Sequence, residues 1–261
     1  MNISINGPGV YFTIPILGGI RITQTAVALL AVTLLLILLA FLVTRKIEKR
    51  PSGLQVIVEK LVSMLYNLVE STMGKHNLHF APYIGALFLS SLFGSLIGLT
   101  KIFTSTTGDL SVTMAWALVT TAMVWYSNIK NFGFKAWLKG FTEPIAVMTP
   151  MNIVSEIANP ISMAFRHFGN VAGGSVLMSV IYAALAALSS LIFGWIPGII
   201  GQIPFFQVGI PAILSIYFDL FSGFVQAFVF CLLTMIYVGA ANPPAEELPV
   251  KKKKAKRKKN S

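Results

Sequence analysis

Long apolar runs, broken by short polar or basic stretches, organise this chain. From Thr25 to Val43 almost every position is apolar, and the run stops at Arg45, Lys46, Lys49 and Arg50. A helix needs about 20 such residues to cross the hydrocarbon core of a bilayer, so a span is predicted over 25–43. Similar runs predict spans over 83–99 and 112–126, joined by the polar segment KIFTSTTGDLS. Two longer apolar stretches follow, 152–193 and 209–240. The segment FGWIPGIIGQIPFF joins them, and its Gly and Pro residues break helix. Both stretches exceed what a perpendicular span requires, so they must tilt strongly or lie partly in the membrane plane. Together they predict a hairpin of two long helices.

The intervening segments read differently. Residues 52–75 place Leu54, Ile57, Val58, Leu61, Leu65 and Leu68 on one side at helical spacing, with Glu59, Lys60 and Glu70 elsewhere. That pattern predicts an amphipathic helix lying at the membrane interface. Residues 1–22 are mixed, and 128–150 read as a loop with Lys130, Lys135, Lys139, Pro144 and Pro150. The predicted fold class is all-α integral membrane: five spanning helices plus the interfacial helix. Residues 1–240 are expected to form one transmembrane domain, and 241–261 a basic, disordered tail.

Composition agrees with this reading. Hydrophobic residues make up 55% of the 261 positions and charged residues 11%, against roughly 25% charged in soluble domains. The one cysteine, Cys231, sits in an apolar segment and offers neither a disulfide framework nor metal-ligand spacing. The first 20 residues lack a basic start and a cleavage site after a short apolar core, so no cleaved signal peptide is read.

The net charge of +11 is concentrated: KKKKAKRKK, from Lys251 to Lys259, supplies eight basic residues. Such a tail reads first as a solvated end, then as a contact for anionic lipid headgroups at ~1 kcal/mol per residue. No nucleic-acid partner is expected. Placing the segment after the first span, the 128–150 loop and the tail on one side puts 17 of the 20 Lys and Arg residues there. The positive-inside rule then predicts a multi-pass membrane protein with its N-terminus outside and its C-terminus cytoplasmic.

Arg166 stands out against this background. No charged side chain occurs from Phe168 to Phe218. A charge at the bilayer centre costs ~2.5–3.5 kcal/mol or more, and arginine cannot shed its proton to avoid that cost. Such a residue points to work on an ion or a moving carboxylate. At 100° per residue, Asn159, Ser162, Arg166, Asn170 and Gly173 share one stripe, with Gly169 beside it. The Gly169-x-x-x-Gly173 spacing also suits tight helix packing. In the last segment Ser215, Asp219, Ser222 and Gln226 fall at i, i+4, i+7 and i+11, again one face.

Asp219 is either a structural partner for Arg166 or a relay. A hairpin folding near residue 196 brings Arg166 opposite Gln226 and Asp219 opposite 173–175. Asp219 then lies about two turns, ~10 Å, from the level of Arg166, which suits an ion-path carboxylate better than a salt bridge. Glu156, ten residues before Arg166, is a candidate for an inner path. Asp109 is a turn residue or a cation-attracting group near an entrance. His167 points about 100° from the arginine stripe and reads as packing; His76 and His79 read as interfacial. There is no Gly-rich phosphate loop, no nucleophile–base set and no metal cluster, so no cofactor is expected.

The run Arg166-His167-Phe168-Gly169-Asn170, preceded by NPISMAF, resembles the Arg-Leu-Phe-Gly-Asn signature of the a subunit of F-type ATP synthase. The segment GFVQAFVFCLLTMIYVGAA resembles that family's last helix, and TTGDLSVTMAWAL another of its blocks. The resemblance implies that Arg166 faces a c-subunit ring, separates two aqueous half-channels and keeps each passing ring carboxylate ionised. Asn170 and Gln226 match family positions beside it. It further implies a b-subunit stator stalk, a soluble F1 head and membrane lipids as partners, and coupling of H⁺ or Na⁺ flow to rotation and ATP synthesis, with no catalysis by the chain alone. The family often pairs an acid nine residues after the arginine with a histidine seven before the glutamine, or the reverse; here Ser175 and Asp219 hold those positions. His167 replaces the usual leucine. The alternative is a secondary transporter with an intramembrane cation site, which predicts internal repeats that this sequence lacks. An intramembrane enzyme would need a nucleophile–base set.

Overall fold

The computed structural model describes residues 9–15, 20–45, 48, 53–100, 103–143, 145–193, 214 and 216–246, and of some of these only the backbone. The protein is an all-α membrane protein whose five spanning helices were legible as apolar runs. Helix α1 is Gln24–Thr44, α2 Leu54–Met73 and α3 Ala81–Leu96, extended by 3₁₀ turns at Lys75–Phe80 and Ile97–Thr100. Helix α4 is Leu110–Phe132, α5 Phe134–Gly140, α6 Thr149–Phe193, and α7 Ser222–Ala241, preceded by π-helical Ile216–Phe221. With no water available in lipid, the backbone satisfies its own polar groups, which favours helix in every apolar run. Among the described residues, five helices are long and apolar enough to cross a membrane: α1, α3 with its 3₁₀ extensions, α4, α6 and α7.

Helix α6 has 45 residues. At 1.5 Å per residue it is about 68 Å long, more than twice the ~30 Å core, so it cannot stand upright within it. Pro160 lies inside it and removes the backbone donor that would meet the Glu156 carbonyl four residues earlier. Helix α2 exposes Leu54, Ile57, Leu61 and Met64 and buries Val69 and Met73, as an interfacial helix should. It stops at Gly74, whose φ of 83° is one that residues with a side chain rarely adopt. Gly133, at φ 93°, likewise separates α4 from α5.

Three details differ from the sequence expectations. Residues 10–23 contain an antiparallel pair, β1 (Val10–Ile14) and β2 (Ile20–Thr23), with Thr13 opposite Arg21. Helix α4 runs beyond the expected end at 126 to Phe132. The expected loop 128–150 instead holds α5 and a 3₁₀ turn at Ala146–Met148. Residues 194–213, Ser215 and 247–261 lie outside the described residues, and so do the turn expected near 196 and the basic tail.

Contacts divide the chain into two compact units. The first comprises Met1–Val32, Ser91–Leu110 and Arg166–Ala227. In it the Thr25 hydroxyl donates to Asp109 Oδ2 at 2.6 Å and sits 2.9 Å from Thr23 Oγ1. This ties the end of the strand pair to the turn before α4. Gly94 is required where it stands, because a Cβ there would come within 2.2 Å of the buried Thr106 Oγ1.

The second unit comprises Thr33–Ser90, Ser111–Phe165 and Phe228–Ser261. Its core includes Ile84, Ala117, Phe230, Met235 and Val238. An amide clasp closes the end of α7. Asn131 Nδ2 donates to the Ala241 carbonyl (2.9 Å) and to Asn242 Oδ1 (3.0 Å), and Asn77 Nδ2 donates to the Asn242 carbonyl (3.0 Å). His76 Nε2 lies 2.7 Å from the same carbonyl, so His76 belongs to this clasp rather than standing only as an interfacial residue.

Candidate functional site

The stripe derived for α6 is an exposed face. Asn159, Ser162, Arg166, Gly169, Asn170 and Gly173 are all exposed, whereas Met163, Ala164, His167, Gly174 and Met178 are buried. Among the described residues Arg166 has neither an ion-pair nor a hydrogen-bond partner; the ion pairs are Lys75–Glu70 and Lys139–Glu143, both at exposed positions. A Cβ added at Gly169 or Gly173 would meet nothing within 4 Å. The glycines therefore do not pack against the described residues of this chain, and they keep the surface beside Arg166 low.

In the first unit, α7 meets this face one turn beyond Arg166. Asn170 Nδ2 donates to Gln226 Oε1 at 2.5 Å, and Gln226 is buried. The hairpin count placed Gln226 opposite Arg166 itself; the observed partner is its stripe neighbour. Behind Arg166, fully buried His167 places Nε2 3.0 Å from Ser91 Oγ on α3. Ser91 is fixed in turn, because the Ser95 hydroxyl donates to its carbonyl at 2.9 Å and lies 3.0 Å from Thr107 Oγ1. The Ser105 hydroxyl is 3.0 Å from the same Thr107 oxygen. A ladder of hydroxyls thus runs from the turn before α4 to the residue beside Arg166.

Asp109 accepts from Thr25 in this unit, so it has a local structural role as well as a position at the polar turn. Ser175 lies on α6 and Asp219 in the π-helical stretch before α7, and the side chains of both are outside the described ones. The π stretch corrects the expected face at Asp219, while Ser215 lies outside the described residues. Hydrogen bonding at i→i+5 widens the turn, so the 3.6-residue period that holds from Ser222 onward does not extend back through Asp219.

In the second unit, Glu156 accepts a hydrogen bond from Trp125 Nε1. It borders a cavity of about 70 Å³, also lined by Thr120, Thr121, Asn159, Pro160 and Tyr237. That volume admits water, given several polar partners. Pro160 contributes by freeing the Glu156 carbonyl, one more acceptor at the wall. Among the described residues no group of three His, Cys, Asp or Glu side chains is placed to hold a metal ion.

Sequence reasoning missed Ser91, Trp125 and Thr25, the partners of His167, Glu156 and Asp109. Each lies far away in sequence, and a Ser, Trp or Thr in an apolar run carries no local signal.

Comparison with known proteins supplies the identity. The family described as ATP synthase A chain matches residues 25–239. Among relatives, the chain is 31% identical to ATP synthase subunit a, sodium ion specific, of Propionigenium modestum over 88% of this chain and 78% of the relative. It is 31% identical to ATP synthase subunit a 1 of Crocosphaera subtropica, over 85% and 87%. It is 29% identical to ATP synthase subunit a of Bacillus subtilis, over 87% and 95%. These matches displace the secondary-transporter alternative. The chain, with its five candidate spanning helices and its exposed Arg166 on α6, belongs to the ATP synthase subunit a family, a membrane component of the F0 sector.

Proposed function

We propose that Arg166 presents its guanidinium to the carboxylates of a c-subunit ring and separates two aqueous half-channels, so that ion flow turns the ring. The observation that carries this reading is Arg166, exposed on a glycine-lowered face and, among the described residues, without a partner. A permanent cation at membrane depth that is paired inside its own chain would be structural. One left open to a second body is available to act on that body. At 4 Å and an effective dielectric near 20, its attraction for a carboxylate is ~4 kcal/mol. That is enough to displace a bound proton, since one pKa unit corresponds to about 1.36 kcal/mol. The b-subunit stalk would hold the chain against rotation, and the F1 head would use the torque.

In this reading Glu156 and its cavity serve the half-channel opening to the cytoplasm. Asp109, Asp219 and Ser175 serve the one opening to the outside. The Asn170–Gln226 bond braces the wall beside the arginine. The orientation follows from the basic residues: N-terminus outside, and the tail, as part of a chain with one membrane domain, in the cytoplasm. The coupling ion is H⁺ or Na⁺; one relative is named as sodium specific.

The test is Arg166→Ala in the assembled complex. ATP-driven ion transport should be abolished while the variant chain still co-purifies with ring and head. Arg166→Lys should restore little, because a compact ammonium can lose its proton and lacks the planar fork. Transport at the wild-type level in the alanine variant would overturn the assignment.

A further inference from the structure

We propose that the His167–Ser91 hydrogen bond sets the rotation of α6 about its axis and so aims Arg166 at the ring, which makes His167 a positioning residue. The inference rests on the role given to Arg166 above. Successive residues on a helix lie 100° apart, so whatever fixes the direction of His167 fixes that of Arg166. Among the described residues, the glycines of the face bearing Arg166 supply no steric register, since additions at Gly169 or Gly173 would touch nothing. The inward side does. His167 is fully buried, its Nε2 lies 3.0 Å from Ser91 Oγ, and Ser91 is itself fully buried. The hydroxyl ladder through Ser95 and Thr107 holds that anchor in place. The other polar tie described close to Arg166, Asn170 to Gln226, starts from an exposed side chain, whereas the His167–Ser91 tie has buried groups at both ends.

The lever is long. A guanidinium stands roughly 8–10 Å from the axis of a helix whose Cα radius is about 2.3 Å. A 20° rotation at that distance moves it about 3 Å, and a misplacement of about 1 Å can cost a hundredfold in a positioned reaction. If His167 only filled space, an apolar side chain of similar size would serve equally well.

Amide substitutions separate the two roles. Glutamine places a polar atom near the position of Nε2, and asparagine places one near Nδ1, too short to reach Ser91. The variants His167→Leu, His167→Asn, His167→Gln, Ser91→Ala and the double change His167→Leu with Ser91→Ala are made in the assembled ATP synthase. Ions transported per ATP hydrolysed are measured at matched amounts of complex, with Arg166→Ala as control. His167→Leu, His167→Asn and Ser91→Ala should each lose about tenfold or more. The double variant should be no worse than either single change, and His167→Gln should stay within about twofold of wild type, since the anchoring bond is kept. The proposal is overturned if the leucine and asparagine variants couple like wild type, or if glutamine is no better than leucine. It is also overturned if the amount of complex falls in step with transport across the whole series, because the role is then packing alone. If Arg166→Ala itself couples normally, the role given to the arginine fails first; if only the His167 series behaves like wild type, the arginine keeps its role and this inference falls.

Discussion

The hydrogen bond from Asn170 to Gln226 gives an asymmetry that can be worked out in advance. Gln226 is only 4% exposed, whereas Asn170 is exposed. Replacing Asn170 by Leu leaves the Gln226 carboxamide buried without its donor. An unsatisfied buried polar group costs about 1–3 kcal/mol. Replacing Gln226 by Leu removes the buried polar group itself and leaves Asn170 free to find other partners. The remaining loss is then the bond alone, about 0.6 kcal/mol on average and up to about 1.7 for interhelical bonds in membranes. Asn170→Leu should therefore destabilise more than Gln226→Leu, by about 1–2 kcal/mol, although burial alone ranks the two residues the other way. The double variant should recover part of the loss and give a coupling of about 0.6–1.7 kcal/mol in the cycle. The assay is the detergent or temperature midpoint at which the chain leaves the purified complex. The reasoning is refuted if Gln226→Leu proves the more damaging change, or if the two effects simply add.

Two further outcomes are expected. Gly94→Ala should sharply lower the amount of folded chain in membranes, because its Cβ would fall 2.2 Å from Thr106 Oγ1, and adding Thr106→Ala should restore much of it by leaving ordinary contacts, the residue-106 Cβ at 3.6 Å and Thr107 Cγ2 at 3.8 Å; immunoblots of membrane fractions decide it. Asn131→Leu deprives the Ala241 carbonyl and Asn242 Oδ1 of a donor and should cost about 1–3 kcal/mol, read as faster proteolysis just beyond α7 and a lower melting midpoint of the complex.

The membrane architecture was legible because a bilayer imposes one rule, helix wherever the run is apolar and long enough. Thr25–Val43 became α1 within a residue at each end, and the periodicity of 52–75 became α2. The rule says nothing outside lipid. VYFTI and IRIT, rich in β-branched and aromatic residues on either side of a Gly-Gly pair, carried a hairpin signal that was overshadowed by the neighbouring span. The stretch after Tyr126 looked like a loop because lysines interrupt it. Yet lysines at a helix end that reaches the interface are compatible with continued helix, and α4 runs on to Phe132.

The candidate site was legible only in part, for a reason lodged in its chemistry. Periodicity identified the stripe of Arg166, Asn170 and Gly173, and counting from the turn brought Gln226 within one turn of its actual partner. The 3.6-residue period does not carry back to Asp219, because a π-helical stretch interrupts it, and π turns leave no mark in composition. The partners behind the arginine are hidden for a different reason. They are hydroxyls, and a serine or threonine in a helix can satisfy itself on the carbonyl four residues earlier, as Ser95 does on Ser91 and Thr121 on Ala117. A group that is half satisfied locally is cheap to carry through lipid. Ser95 and Thr121 therefore sit in segments that still read as spans, each with an oxygen lone pair to offer to another group. An arginine is conspicuous because lipid tolerates it badly, whereas the groups that aim it are tolerated well and so cannot be picked out from composition. In a chain of this kind the acting residue is found by its cost in lipid, and its supports have to be found by geometry.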